Sequence, residues 1–119
     1  MKTEDITKNL VNWCNNGEEA RCDQELYSPN IVSIEAQGEN PVSKGMDEVA
    51  KKGQWWKDTF EVHNWKTSEP IVADNWFSVR HDIDTTHKPS GNRQKMSELA
   101  VYQVNDSKIV NEQFFHDVE

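Results

Sequence analysis

Four side chains of this 119-residue chain combine an ionisable group with an apolar setting: Glu35, Glu98, His81 and His116. A carboxylate held among apolar groups is the raw material of general acid–base chemistry, because burial raises its pKa toward neutrality, and an imidazole already titrates near neutrality. Glu98 shares one side of an alternating run with Met96, Ala100, Tyr102 and Val104. It either points inward beside Tyr102 or stands outward near the start of its strand. His81 interrupts the otherwise apolar series Phe77, Val79, Ile83. It is either a proton shuttle or, more commonly for a single His in such a series, a core histidine with both nitrogens bonded. Glu112, Phe114 and His116 alternate near the C-terminus, and Glu35 ends the run Ile31-Val32-Ser33-Ile34-Glu35-Ala36. There Val32, Ile34 and Ala36 form the apolar side and place Ser33 and Glu35 on the other. His81, His116 and a carboxylate lack the short ligand spacing of a metal motif, so no metal site is expected. His63 lies on a strand of undetermined facing, and His87 falls in a polar loop.

Composition narrows the choices further. Thirteen Lys and Arg against 21 Asp and Glu give a net charge of -8, which repels phosphate backbones and argues against nucleic-acid binding. Only 34% of residues are hydrophobic, yet five Trp and four Phe supply the large buried surfaces that a small core needs. No apolar run approaches the ~20 residues that span a bilayer, and Met1-Lys2-Thr3-Glu4-Asp5 is too polar for a signal peptide. A cytoplasmic protein with reduced Cys14 and Cys22 is therefore expected. The chain carries no Gly-x-Ser-x-Gly, phosphate-binding loop, dinucleotide fingerprint or Cys-x-x-Cys, so no cofactor is expected.

Elements that must position these groups follow from periodicity. Ile6, Leu10, Trp13 and Cys14 predict one face of a helix, which Asn15-Asn16-Gly17 ends. Ala20, Cys22, Leu26 and Tyr27 predict a short second helix, stopped by Ser28-Pro29-Asn30. Residues 31–36 predict a strand and 37–45 a loop. Met46, Val49, Gly53 and Trp56 predict a third helix, with Asp47-Glu48 early and Lys51-Lys52 late in the order that the helix dipole favours. Period-two alternation then predicts strands over 60–67, 71–86, 96–104 and 108–116, with a hairpin loop over 85–92 and a tight turn at Asn105-Asp106-Ser107.

This order, together with particular stretches, resembles the SnoaL-like branch of the nuclear transport factor 2-like superfamily, which includes ketosteroid isomerase and polyketide cyclases. The matching stretches are 26–36, the helix with Trp55-Trp56, Trp76-Phe77-Ser78-Val79-Arg80, and Glu98-Leu99-Ala100-Val101-Tyr102. The closing Asp106-Ser107-Lys108-Ile109-Val110 is similar to the family's aspartate-glycine-lysine-isoleucine ending, with Ser107 in the glycine's place. The resemblance implies a single domain over 1–119 of the α+β class. A curved, mostly antiparallel sheet would wrap three helices as a cone with an internal pocket.

On that resemblance Glu35 falls where the isomerase keeps its aspartate base. Glu98 lies near the isomerase's hydrogen-bonding acid, whose register falls closer to Ala100. The pocket would be lined by Trp56, Phe77, Val79, Ile83, Tyr102, Glu112 and Phe114, with His81 and His116 reaching it. The oxyanion-binding tyrosine of the isomerase's first helix has Leu10 in its place, with Trp13 one turn on, which argues against the steroid reaction itself. Trp76 and Trp65, if outward, would mark a homodimer contact on the sheet. Two function classes follow. One is a cofactor-free enzyme moving a proton on a small, apolar carbonyl compound, as an isomerase, cyclase or dehydratase does. The other is a ligand-binding or dimerisation module of the same shape without turnover.

Overall fold

The computed structural model describes residues 2–117. Helices α1 (Thr3–Asn15), α2 (Glu19–Glu25) and α3 (Met46–Thr59) pack on a seven-stranded sheet. Its strands are β1 (Tyr27–Ile34), β2 (Val42–Lys44), β3 (Phe60–Thr67), β4 (Ile71–Ala73), β5 (Trp76–His87), β6 (Asn92–Asn105) and β7 (Lys108–Phe115). Strand order is β2-β1-β7-β6-β5-β3, with β4 also on β5. Every pairing is antiparallel except β1 with β7, so the sheet is mixed. The α+β architecture with three helices and a curved sheet is the one that the element order predicts.

The core is built from one stripe of α1 and one face of the sheet. Ile6, Leu10 and Cys14 project from α1, spaced four apart on one helical face. They meet Leu26, Ile31, Phe77, Val79, Ala100, Tyr102 and Ile109. Phe77 stacks on Tyr102 with ring centroids 4.7 Å apart, across the β5–β6 ladder where the two residues are partners. The alternation along β5 is as expected: Phe77, Val79, His81, Ile83 and Thr85 are buried. Cys14 and Cys22 are free, buried thiols in this cluster.

Several boundaries differ from the periodicity reading. Strand β1 begins at Tyr27, not Ile31, because the chain leaves α2 directly into a parallel ladder with β7. Pro29, which has no N–H to donate, sits in the register irregularity between Tyr27 and Val32. Strand β2 occupies part of the expected loop as a three-residue edge on β1. The expected strand over 71–86 is two strands, folded at Asp74-Asn75, where Asp74 takes φ 50°. Asp and Asn tolerate that left-handed geometry, and this turn signal outranks the apolar alternation around it. The loop expected over 85–92 shrinks to a turn, since the β5–β6 ladder runs on to the His87–Asn92 pair. At the β6–β7 turn Asp106 and Ser107 both have positive φ (49° and 63°), as a two-residue hairpin matching strand twist demands.

Facing differs too. Along β1 the buried residues are Ile31 and Ser33, whereas Val32 and Ile34 are only half-buried, so the apparent apolar side is not the one turned to the helices. Trp65 faces inward onto His81 and Trp56, not outward. The outer face instead exposes Trp76, Leu99 and Phe115, the last two being direct partners across the β6–β7 ladder. On β3, at the open edge of the sheet, the register shifts between Val62 and Asn64, and Glu61, His63 and Lys66 are exposed.

Phe77 is the largest of the fully buried side chains. Phe77→Ala is expected to lower unfolding free energy by about 3–5 kcal/mol, read as a lower urea midpoint with an unchanged slope.

Candidate functional site

The ladder pairings place the sequence's candidates in two rows on the concave face. One row crosses the sheet as Thr67, His81 and Glu98. His116 follows just beyond the Leu99–Phe115 pair. The other crosses as Phe77, Tyr102, Glu112 and Ser33. Val79, Ala100 and Phe114 separate them as an apolar row. Alternation is what aligns these residues, since every second side chain of a strand shares a face.

Helix α3 adds a residue that the sequence reading left among dipole-balancing surface charges. Lys52 follows Val49 by one turn and precedes Trp56 by another, so it lies along the buried stripe of α3. Its Nζ is 2.7 Å from Glu35 Oε1 and donates to Ser33 Oγ. Ser33 Oγ in turn donates to Glu112 Oε2 at 2.6 Å, and Tyr27 Oη donates to Glu112 Oε1. The Phe114 ring centroid is 5.7 Å from Nζ. Glu35 therefore turns toward α3 with its side chain 34% exposed, beside a Lys52 side chain that is 25% exposed. This part of the concave face is still reached by solvent. Glu112, at 3%, is not.

Burial and mutual repulsion set the protonation of this cluster. Glu98 is pushed up to about 7, first by loss of water and then by the Glu35 charge, with Lys52 and His116 opposing. Asp23 of α2, another residue not singled out by sequence, is raised to about 6 by burial and by Glu112. Burial raises Glu112 as well, against the bonds from Ser33 and Tyr27 that favour its charged form. Asp23 falls on a helix too short to show amphipathic periodicity, so composition offers no sign of it. Lys52 was findable from its 3-4 spacing with Val49 and Trp56.

His81 sits differently. It is 2% exposed, and both ring nitrogens are engaged. Nδ1 lies 3.3 Å from the Trp65 indole N–H, which can only donate, and 2.8 Å from Thr67 Oγ1. Nε2 therefore carries the proton and donates to Tyr102 Oη at 3.3 Å. Burial lowers its pKa to about 4, so the ring is neutral. This is the core-histidine alternative, one strand from Glu98. His116 is half-buried beyond the end of β7, its Nδ1 2.9 Å from the Asp117 carbonyl. Of the lining residues, Phe77, Val79, Ile83 and Tyr102 are buried in the sheet's inner face. Trp56 packs against Phe60 and Trp65. Leu10 is 1% exposed in the core, so α1 presents no hydroxyl to this face at that position. Among the described residues no three His, Cys, Asp or Glu are placed to hold a metal ion. Two surface depressions lie away from the cluster. One is bounded by Asn64, Asp82, Lys95 and Ser97, the other by Lys2, Asn75 and Asp106. No described helix is long and apolar enough to cross a membrane.

Comparison with known proteins agrees with this fold. The family model for the SnoaL-like domain matches residues 1–116. A candidate SnoaL-like polyketide cyclase from Mesorhizobium loti superposes with a TM-score of 0.93 at 32% identity, over 98% of this chain and 100% of that one. A nuclear transport factor 2-like protein from Burkholderia thailandensis gives 0.83 at 16% identity, over 98% and 92%. A Xanthomonas campestris protein with a cystatin-like fold gives 0.77 at 18%, over 99% and 92%. The last two speak to fold alone. No curated protein sequence matches the chain.

The raised Glu98 predicts a pH signature. Its carboxyl holds a proton more tightly folded than unfolded, so its stability contribution is complete below about 4.5 and is lost as pH rises to about 7. His81 works in the opposite sense, losing stability as pH falls from 6.5 to about 4. Glu98→Gln removes only the first effect. Its melting temperature relative to wild type is expected to rise between pH 4.5 and 7 and then level off.

Proposed function

The chain belongs to the SnoaL-like family, and from that premise we propose that it binds a small, largely apolar carbonyl compound on the concave face and moves a proton on it without a cofactor, as an isomerase, cyclase or dehydratase does. The observation that carries this reading is Glu98. Its pKa near 7 leaves it part protonated at neutral pH, the condition under which one carboxyl serves as both general acid and general base. Ala100 and Phe114, the next pair along the same face, offer an apolar setting beside it, and Glu35 adds a second, partly exposed carboxylate. His81, neutral and bonded on both sides, positions Tyr102 and the β5–β6 wall rather than exchanging protons with a ligand. His116, within electrostatic reach of Glu98, tunes that carboxyl. The polyketide cyclase name of the Mesorhizobium loti relative supports a polyfunctional carbonyl ligand.

A second reading, ligand binding without turnover, is favoured by the Lys52–Glu35 pair, in which two of the polar groups already satisfy each other. Proton exchange separates the two. In deuterated buffer the protein is expected to accelerate exchange of the hydrogens beside the carbonyl in a panel of apolar ketones, followed by NMR. Glu98→Gln should slow that exchange by roughly 10²–10⁴-fold. Binding with no exchange above buffer would leave the binding reading.

The exposed Trp76, Leu99 and Phe115 support a homodimer through the outer sheet face, since large apolar side chains left exposed on a sheet mark contact surfaces. Leu99→Lys is expected to convert the dimer to monomer in sedimentation. A monomeric wild type would refute this assignment.

A further inference from the structure

Resting on the acid–base reading, we propose that the Lys52 ammonium anchors the ligand oxygen on which negative charge develops, which makes Lys52 a further binding residue of the concave face. Among the described residues Lys52 is the one Lys or Arg bonded to a group of the concave face. The remaining side-chain cation bonds tie Arg21 to Glu25, Arg80 to Asp82 and Ser97, and Arg93 to Asp84, while Lys88 and Lys108 reach backbone carbonyls. An ammonium has three donors. Glu35 and Ser33 take two, and the apolar Phe114 ring lies 5.7 Å away rather than a third acceptor. With the Lys52 side chain 25% exposed, that remaining donor is the one a ligand would use.

The neighbouring groups cannot take this role. Tyr27 Oη already donates to Glu112, Tyr102 Oη is buried against His81, and α1 turns Ile6, Leu10 and Cys14 inward. The cluster is also less hostile to an anion than four carboxylates suggest. Glu98, Asp23 and Glu112 are all displaced toward their neutral forms, and Glu35 is paired with Lys52 itself. Proton transfer then balances within the site. Ionised Glu98 takes a proton from the carbon beside the carbonyl, and the C–H electron pair passes to the carbonyl oxygen. Lys52 holds the resulting charge until Glu98 returns the proton to the new position.

The test reads ionisation of a bound probe without turnover. 4-Nitrophenol, whose anion alone is yellow, is titrated with the full-length protein across the probe's own pKa. Binding to wild type is expected to raise the ratio of anion to phenol about tenfold over free probe, the scale of one charge-assisted hydrogen bond. Lys52→Gln should abolish that rise, and Lys52→Arg should keep most of it. Circular dichroism confirms that each variant is folded. A wild type that binds no probe, or binds it without changing its ionisation, overturns the proposal. So does a folded Lys52→Gln that ionises the probe like wild type. Loss of ketone exchange in Glu98→Gln with no Lys52 effect would overturn the anchor alone. A Lys52 effect without any ketone exchange would instead overturn the acid–base reading.

Discussion

Burying the Glu112 carboxylate is the most demanding step in this fold. A charged or even neutral carboxyl removed from water needs partners within hydrogen-bond reach, or it costs several kcal/mol. Its partners come from elsewhere in the chain: Tyr27 and Ser33 from β1, and Lys52 of α3 through the Ser33 hydroxyl. Both β1 donors reach it only because β1 runs parallel to β7, in a register that sets Ser33 opposite Glu112. Lys52 reaches Ser33 only if α3 lies across the same strands. The single parallel pairing in the sheet, the docking of α3 and the polar interior are thus one linked arrangement.

That linkage explains which parts of the molecule could be read from residues alone. The alternation of Phe77, Val79, His81 and Ile83 is local, and it identified the inner face of β5 correctly. So did the run from Met96 to Val104, which put Glu98 on the side of Tyr102. Strand β1 misled, because its most apolar side, Val32 and Ile34, is the one turned away from the helices. Ser33 is inside because a carboxylate 79 residues later needs its hydroxyl, and no local pattern carries that information. Lys52 was hidden by the company of Lys51, which made both look like solvent charges, although its spacing from Val49 and Trp56 placed it on the buried stripe. The Asp74-Asn75 turn shows the converse error, in which apolar alternation was followed across two residues that favour a reversal.

The two polar rows differ in what they can do. His81 has its nitrogens saturated by Trp65, Thr67 and Tyr102, so it stiffens the wall. Glu98, one strand away, is governed by burial and by the charges around it, and so keeps the capacity to exchange protons. A fold shared by many SnoaL-like and nuclear transport factor 2-like proteins supplies the curved face. The chemistry available there depends on which positions of that face leave a group unsaturated.

The edge strand β3 carries a further consequence. A sheet that ends in an open strand offers a row of unpaired N–H and C=O groups to any passing chain. Here the register shift between Val62 and Asn64 bends that row, and the exposed Glu61, His63 and Lys66 set charge and polarity along it. An incoming strand would have to match a kinked template and cover ionic side chains. The cone can therefore present apolar residues on its outer face while its rim resists the edge-to-edge growth that leads to fibrils.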